Sequence, residues 1–196
     1  MRAVVLFVLS SALTAQAAPT RAQVEAYGLD PELVPAACRG VVTGTVMGAR
    51  ISVASCASKL ALEHLSLDDS AASIAALQRA VRWPTELLDS VIAAGDPVER
   101  AEALRAEADQ LDGMIARLRR TAPSLSWHTT GHQLASAEDT HDVIETAIAP
   151  WVRASAAAND AIIAIANQHP EVRKDPVAAI AVKAAEAAVR ARVASR

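Results

Sequence analysis

Along most of this 196-residue chain, apolar positions recur at intervals of three and four, the spacing that stacks side chains on one face of an α-helix. The clearest run is 97–121. Asp96 is placed to cap it, Pro97 suits the first helical position, Glu99 completes an Asp-x-x-Glu box, and Arg117, Arg119 and Arg120 sit where the helix dipole favours positive charge. Its seam is Val98, Ala101, Leu104, Ala108, Leu111, Ile115 and Leu118, and the opposite face is a solvated mixture of Glu and Arg.

The same logic predicts a helix over 138–168, with Ile144, Ile148, Trp151, Ser155, Ala158, Ile162 and Ile165 on one seam. Pro150 falls inside it and is expected to kink or split it, because the proline ring clashes with the carbonyl four residues back. His169-Pro170 ends the run. Asp175-Pro176 then restarts a helix with a weak stripe of Val177, Ile180, Ala184 and Ala188. Upstream, a helix is expected from Ile51 to about Leu65 through Val53, Cys56, Leu60 and His64. Ser66 with Asp69 starts another, passing through Ile74, Leu77 and Val81 until Trp83-Pro84 interrupts it. A short helix from Thr85 to Ala94 then ends at Gly95. Thr20 with Gln23 has the form of a capping box for a short helix from Arg21 to Tyr27, closed by Gly28, and Asp30-Pro31 offers a second short start.

Two stretches resist the helical reading. In 123–137 the sequence PSLSWHTTGHQLASA is rich in Ser, Thr and Gly and reads as the longest loop. Between Cys38 and Cys56, Gly40, Gly44 and Gly48 recur every four residues, with Ser52 and Cys56 extending the series. Small residues at this spacing line one face of a close-packed helix. However, β-branched Val41, Val42, Thr43, Thr45 and Val46 among the glycines disfavour an isolated one. A loop or short extended excursion and a close-packed helix both fit.

The first residues follow a different pattern. Arg2 precedes an apolar run from Ala3 to Leu13, and Ala15-Gln16-Ala17 follows. This is the form of a secretory signal peptide over 1–17, cleaved after Ala17 to leave a mature chain over 18–196, in the periplasm or outside the cell. The run is shorter than the roughly 20 residues needed to span a bilayer, so no stable membrane span is expected after cleavage.

Composition sharpens the picture. Hydrophobic residues make up 52% of the chain and aromatic ones only 3%, so alanine, the best helix former, supplies much of the apolar surface. Together these features predict an all-α fold: an antiparallel helical bundle of three to four long helices with short accessory helices, in a single domain. The net charge of −3 gives no basic face for nucleic acid, which is excluded as a partner. Cys38 and Cys56 are the only cysteines, and in an oxidising compartment such a pair forms a disulfide. An unbroken helix between them would hold them about 27 Å apart, whereas a disulfide needs Cα atoms within about 7 Å.

Candidate chemistry is sparse. His128 and His132 are four residues apart, as are His141 and Glu145, so these four residues offer imidazole and carboxylate ligands for zinc or copper. The general-base Glu of a His-Glu-x-x-His motif is missing, as are a Gly-x-Ser-x-Gly elbow, a phosphate-binding Gly-rich loop and an EF-hand. No catalytic or cofactor-binding residue is assigned. The leading expectation is an exported, non-enzymatic bundle that binds a protein or a small apolar ligand. The alternatives are a metal-binding protein using the His cluster and a small helical enzyme with Arg79, Arg82 or Arg153 turned inward beside a Glu.

Overall fold

The computed structural model describes residues 19–65, 67, 70–122 and 132–195, and every regular element among them is helical. In chain order these are α1 (Arg21–Ala26), a 3₁₀ turn over Ala36–Val41, α2 (Val46–His64), α3 (Ser70–Ala94), α4 (Pro97–Arg119), α5 (His132–Gln168), a 3₁₀ turn over Pro170–Arg173, and α6 (Ala178–Ala194). The expected signal peptide and the expected Ser66/Asp69 helix start lie outside the described residues, except that α3 is already helical at Ser70. Among the described residues, no helix is long and apolar enough to cross a membrane.

The helix starts follow their local chemistry. Asp96 Oδ1 accepts hydrogen bonds from the Val98 and Glu99 amides at 2.8 and 2.9 Å, and Glu99 accepts one in return from the Asp96 amide at 3.1 Å. Thr20 and Gln23 form the same reciprocal box on α1. Asp175 Oδ1 accepts from the Val177 and Ala178 amides, both at 2.9 Å, at the start of α6. Gly28, at φ +66°, ends α1 in the left-handed conformation that favours glycine.

Successive long helices run antiparallel, with α4 in the middle against α2, α3, α5 and α6. The amino half of α4 packs with the carboxyl half of α5 and with α6, through Leu104, Ala108, Ile162, Ile165 and Val182. Its carboxyl half packs with the amino half of α5, the start of α3 and the end of α2, through Leu118, Ile148, Leu77 and Leu62. Two smaller clusters complete the core. One seats α2 against α3 and α4 through Ile51, Leu88 and Ala103. The other folds residues 24–42 onto α2 through Val24, Val34, Val42 and Val53.

Cys38, in the first 3₁₀ turn, is bridged to Cys56 on α2 with a Cα separation of 5.7 Å. The chain between them is therefore not one helix. Gly44, at φ +82°, lies in the turn before Thr45 caps α2, with the Thr45 hydroxyl accepting from the Gly48 amide. Gly40, Gly44 and Gly48 thus fall in a 3₁₀ turn, a bend and a helix respectively, and line no common face. α2 begins at Val46, a turn earlier than the apolar pattern indicated.

Several expectations need correction. Trp83-Pro84 does not interrupt a helix: α3 runs unbroken from Ser70 to Ala94. Pro84 is itself a seam residue, buried in register with Leu77, Val81, Leu88 and Val91. Burial on both sides of the proline outweighs its intrinsic helix cost of about 3 kcal/mol. Likewise Pro150 does not divide α5, which continues to Gln168. Here the proline is exposed, and the carbonyl it leaves without an amide belongs to Thr146, also exposed and so on the side where water can serve it. The loop over 123–137 ends earlier than expected, since α5 starts at His132.

The α6 stripe is also misplaced. Val177 and Ile180 are 57% and 67% exposed, while the residues turned to the core are Ala178, Ala181, Val182 and Ala185. Finally, α4 has no single seam with a solvated back. As the central helix it buries Ala103, Ala106, Gln110 and Met114 as well as most of the expected face, of which Val98 and Leu111 are only partly covered.

Candidate functional site

α2 and α4 are separated by α3 in sequence and run parallel. Ser58 meets Gln110 and Leu65 meets Arg117, each pair 52 residues apart. Along this seam the two helices approach closely at Gly113, where an added Cβ would lie 2.9 Å from Leu62 Cδ1. Beside that crossing a groove of about 560 Å³ opens to solvent. Leu62, Ala106, Gly113 and Ala116 give it apolar walls, and Ser58 and Gln110 are the two buried polar residues of its lining.

Those two polar side chains are 4% and 5% exposed and belong to a relay across three helices. The Ser58 hydroxyl donates to Gln110 Oε1 in a short hydrogen bond. Gln110 Nε2 donates to Thr85 Oγ1 at 2.6 Å, and the Thr85 hydroxyl donates to the Val81 carbonyl at 2.8 Å, one turn back on α3. A buried polar group without a partner costs about 1–3 kcal/mol. This chain of donors and acceptors avoids that cost and fixes the register of α2 on α4.

Charge is uneven around the groove. Lys59, Arg117 and Arg120 line it together with Glu63 and Asp109. Asp109 is already engaged by Arg105 one turn earlier on α4, with Nε to Oδ2 at 3.1 Å. Arg117 donates to the Leu65 carbonyl at the end of α2, a favourable place for a cation, and its buried Nε has no partner among the described residues. Among the described residues, Lys59, Arg117 and Arg120 thus outnumber Glu63, the lining acid that forms no ion pair.

Of the residues singled out in the sequence, His141, Glu145, Arg79, Arg82 and Arg153 do not line this groove. His128 lies outside the described residues, and His132 stands at the first position of α5. His141 is nine residues further along that helix, a rise of about 13 Å. One turn beyond it, Glu145 forms a two-pronged ion pair with Arg119 of α4, both bonds 2.8 Å long. That bond holds the Glu145 carboxyl below its ordinary range and raises the Arg119 guanidinium. No group of three or more His, Cys, Asp or Glu side chains suited to a metal ion occurs among the described residues. Arg79, Arg82 and Arg153 are all exposed, and Arg82 pairs with Glu86 at 3.5 Å on the surface of α3.

Two acids on α4 depart from ordinary behaviour. Burial, followed by the nearby charges of Asp175, Glu99 and Asp96, raises the Glu102 carboxyl. Burial and the charge of Asp89 raise Glu107, which is half-buried rather than on a solvated back face. Neither lines the groove. Comparison with protein-family models, with curated proteins and with solved structures finds no match for this chain.

Proposed function

We propose that residues 1–17 export this chain to the periplasm or cell exterior, where it serves as a non-enzymatic binding protein. Its α2–α4 groove holds a small ligand with an apolar body and an anionic head. The disulfide fits an oxidising compartment. The observation that carries the binding reading is the combination in one groove of apolar walls with Lys59, Arg117 and Arg120 against Glu63. Apolar lining with a few placed polar groups is the usual make-up of a small-molecule site. The outward positions of Arg79, Arg82 and Arg153 favour binding over chemistry, since an enzyme of the kind considered needs them inside a cavity with an acid.

Decanoate is a suitable probe. Calorimetric titration of the mature protein with decanoate is expected to show one site, and Lys59→Glu with Arg120→Glu is expected to weaken it by at least about tenfold, or 1.4 kcal/mol. Both side chains are exposed, so the double variant keeps its fold. Binding that is unchanged in the double variant, or equal for decanoate and decanol, overturns the reading.

A further inference from the structure

α6 is an edge helix, packed on α4, α5 and the second 3₁₀ turn. The side turned to them is Ala178, Ala181, Val182 and Ala185, all buried. The apolar stripe legible in the sequence lies on the opposite side. Ile180, 67% exposed, is the most exposed large apolar side chain among the described residues, and Val177, just before the helix, is 57% exposed. Ala184, Ala187 and Ala191 carry the stripe onward at intervals of three and four, the last two exposed. Over the 17 residues of α6 this makes a ridge about 25 Å long.

Charge runs along one flank of that ridge. Lys183 and Arg190 follow Ile180 and Ala187 by three residues each, so they stand two turns apart on the same side. Both are exposed, as is Lys174 ahead of the helix, and none of the three forms an ion pair among the described residues. The acids nearby are engaged. Asp175 accepts from the Val177 and Ala178 amides, and Glu186, one turn before Arg190, pairs with Arg173 at 2.8 Å. Glu171 pairs with His169 at 3.2 Å, and Asp160 of α5 with Arg192 at 2.6 Å. Residues 170–195 thus hold five basic side chains against three acidic ones, in a chain whose net charge is −3.

We propose that the outer face of α6 seats this protein on the surface of an anionic lipid bilayer. A helix with an apolar face and Lys and Arg beside it is the form that lies in a membrane interface. Val177 and Ile180 enter the headgroup layer. Lys183 and Arg190 reach the lipid phosphates with their charged ends, while their hydrocarbon stems follow the apolar face. The ridge is convex, so it encloses no small ligand, whereas a planar bilayer meets its whole length. An acidic protein answers the cations alone; a bilayer answers the cations and the exposed Val177 and Ile180 together. The short side chains beyond Ile180 keep the contact shallow and reversible. This face lies apart from the α2–α4 groove and does not depend on the reading given to it.

The test is co-sedimentation of the mature protein, residues 18–196, with vesicles of phosphatidylcholine alone or mixed equally with phosphatidylglycerol. Binding is expected to the mixed vesicles and not to the neutral ones. It should fall at least about fivefold as salt rises from about 0.05 to 0.5 M, because salt screens exposed charges. Lys183→Glu with Arg190→Glu is expected to weaken it about tenfold or more, since each cation near an anionic surface contributes several-fold. Ile180→Ser, with charge unchanged, should weaken it several-fold. Arg79→Glu with Arg82→Glu makes the same change of charge at exposed positions of α3 and should leave binding as it was. The proposal is overturned by absence of binding to the mixed vesicles at low salt, equal binding to the neutral ones, equal loss in the α3 double variant, or no effect of Ile180→Ser. Equally tight binding of soluble polyglutamate also overturns it, by assigning the face to an acidic polypeptide. The comparison of vesicles and polyglutamate needs only the wild-type chain, so it stands whatever the variants do to folding.

Discussion

At its amino half, α4 meets α5 and α6 through six buried alanines, Ala101, Ala108, Ala158, Ala166, Ala178 and Ala185, with Leu, Ile and Val between them. At its carboxyl half, the buried set is Leu62, Leu77, Val81, Met114, Ile115, Leu118, Ile144, Ile148 and Trp151, without an alanine. The same helix is therefore packed by two different means. Small residues allow helix axes to approach toward the short end of the 8–10 Å range, where backbone atoms themselves make the contact. Large residues fill a wider space, and each contributes on the order of 1.5–3 kcal/mol by leaving water. One end is sensitive to added volume, the other to lost volume.

The largest expected effect tests the wide end. Ile148→Ala removes a fully buried side chain from the alanine-free cluster and should destabilise by about 2–5 kcal/mol, measured by urea denaturation, because the cavity only partly collapses. Next is the narrow end. Ala108→Leu forces volume between α4 and its neighbours and should cost about 1–3 kcal/mol. In the wide cluster, Leu118→Met keeps volume and should cost less than about 1.5 kcal/mol. If Ala108→Leu is tolerated as well as Leu118→Met, the two ends do not differ in the way described.

The smallest effect concerns charge at the alanine-rich end. Glu102 has a folded-state pKa above its unfolded value, so the folded chain holds the proton more tightly. Its penalty is absent at low pH and develops as pH rises from the unfolded value through the folded one. Glu102→Gln should therefore stabilise the protein at neutral pH, by less than about 1 kcal/mol. The advantage should vanish below the ordinary carboxylate range. An equal advantage at pH 3 and pH 7 in thermal melts would contradict the assignment to ionisation.

How far the sequence reveals such features depends on contrast. The α5 seam is legible in full: Ile144, Ile148, Trp151, Ser155, Ala158, Ile162 and Ile165 are all buried. Large apolar residues there alternate with Asp, Glu and Thr, so the pattern has a clear phase. α6 has no such contrast. Alanine occupies most positions on every face, and the few larger residues that seem to mark a seam, Val177 and Ile180, point outward. Pro84 misleads because a local rule meets a tertiary contact: the residue that should break a helix is part of the surface that holds it in place. The groove carries no local signal. Ser58 and Gln110 become partners only when α2 lies beside α4, and Asn159 is an ordinary polar residue until the packing around it leaves one oxygen without a donor among the described residues.

The Cys38–Cys56 bridge also decides how tension travels. Any pull on the amino end reaches Cys38 and crosses the sulfurs directly to α2 at Cys56. Residues 39–55, which include the Gly44 bend and about three turns of α2, lie outside that covalent path and cannot be drawn out while the bond is intact. A tether at the amino end would thus be anchored in the middle of α2, beside the residues that pack it on α3, and not at its first turn.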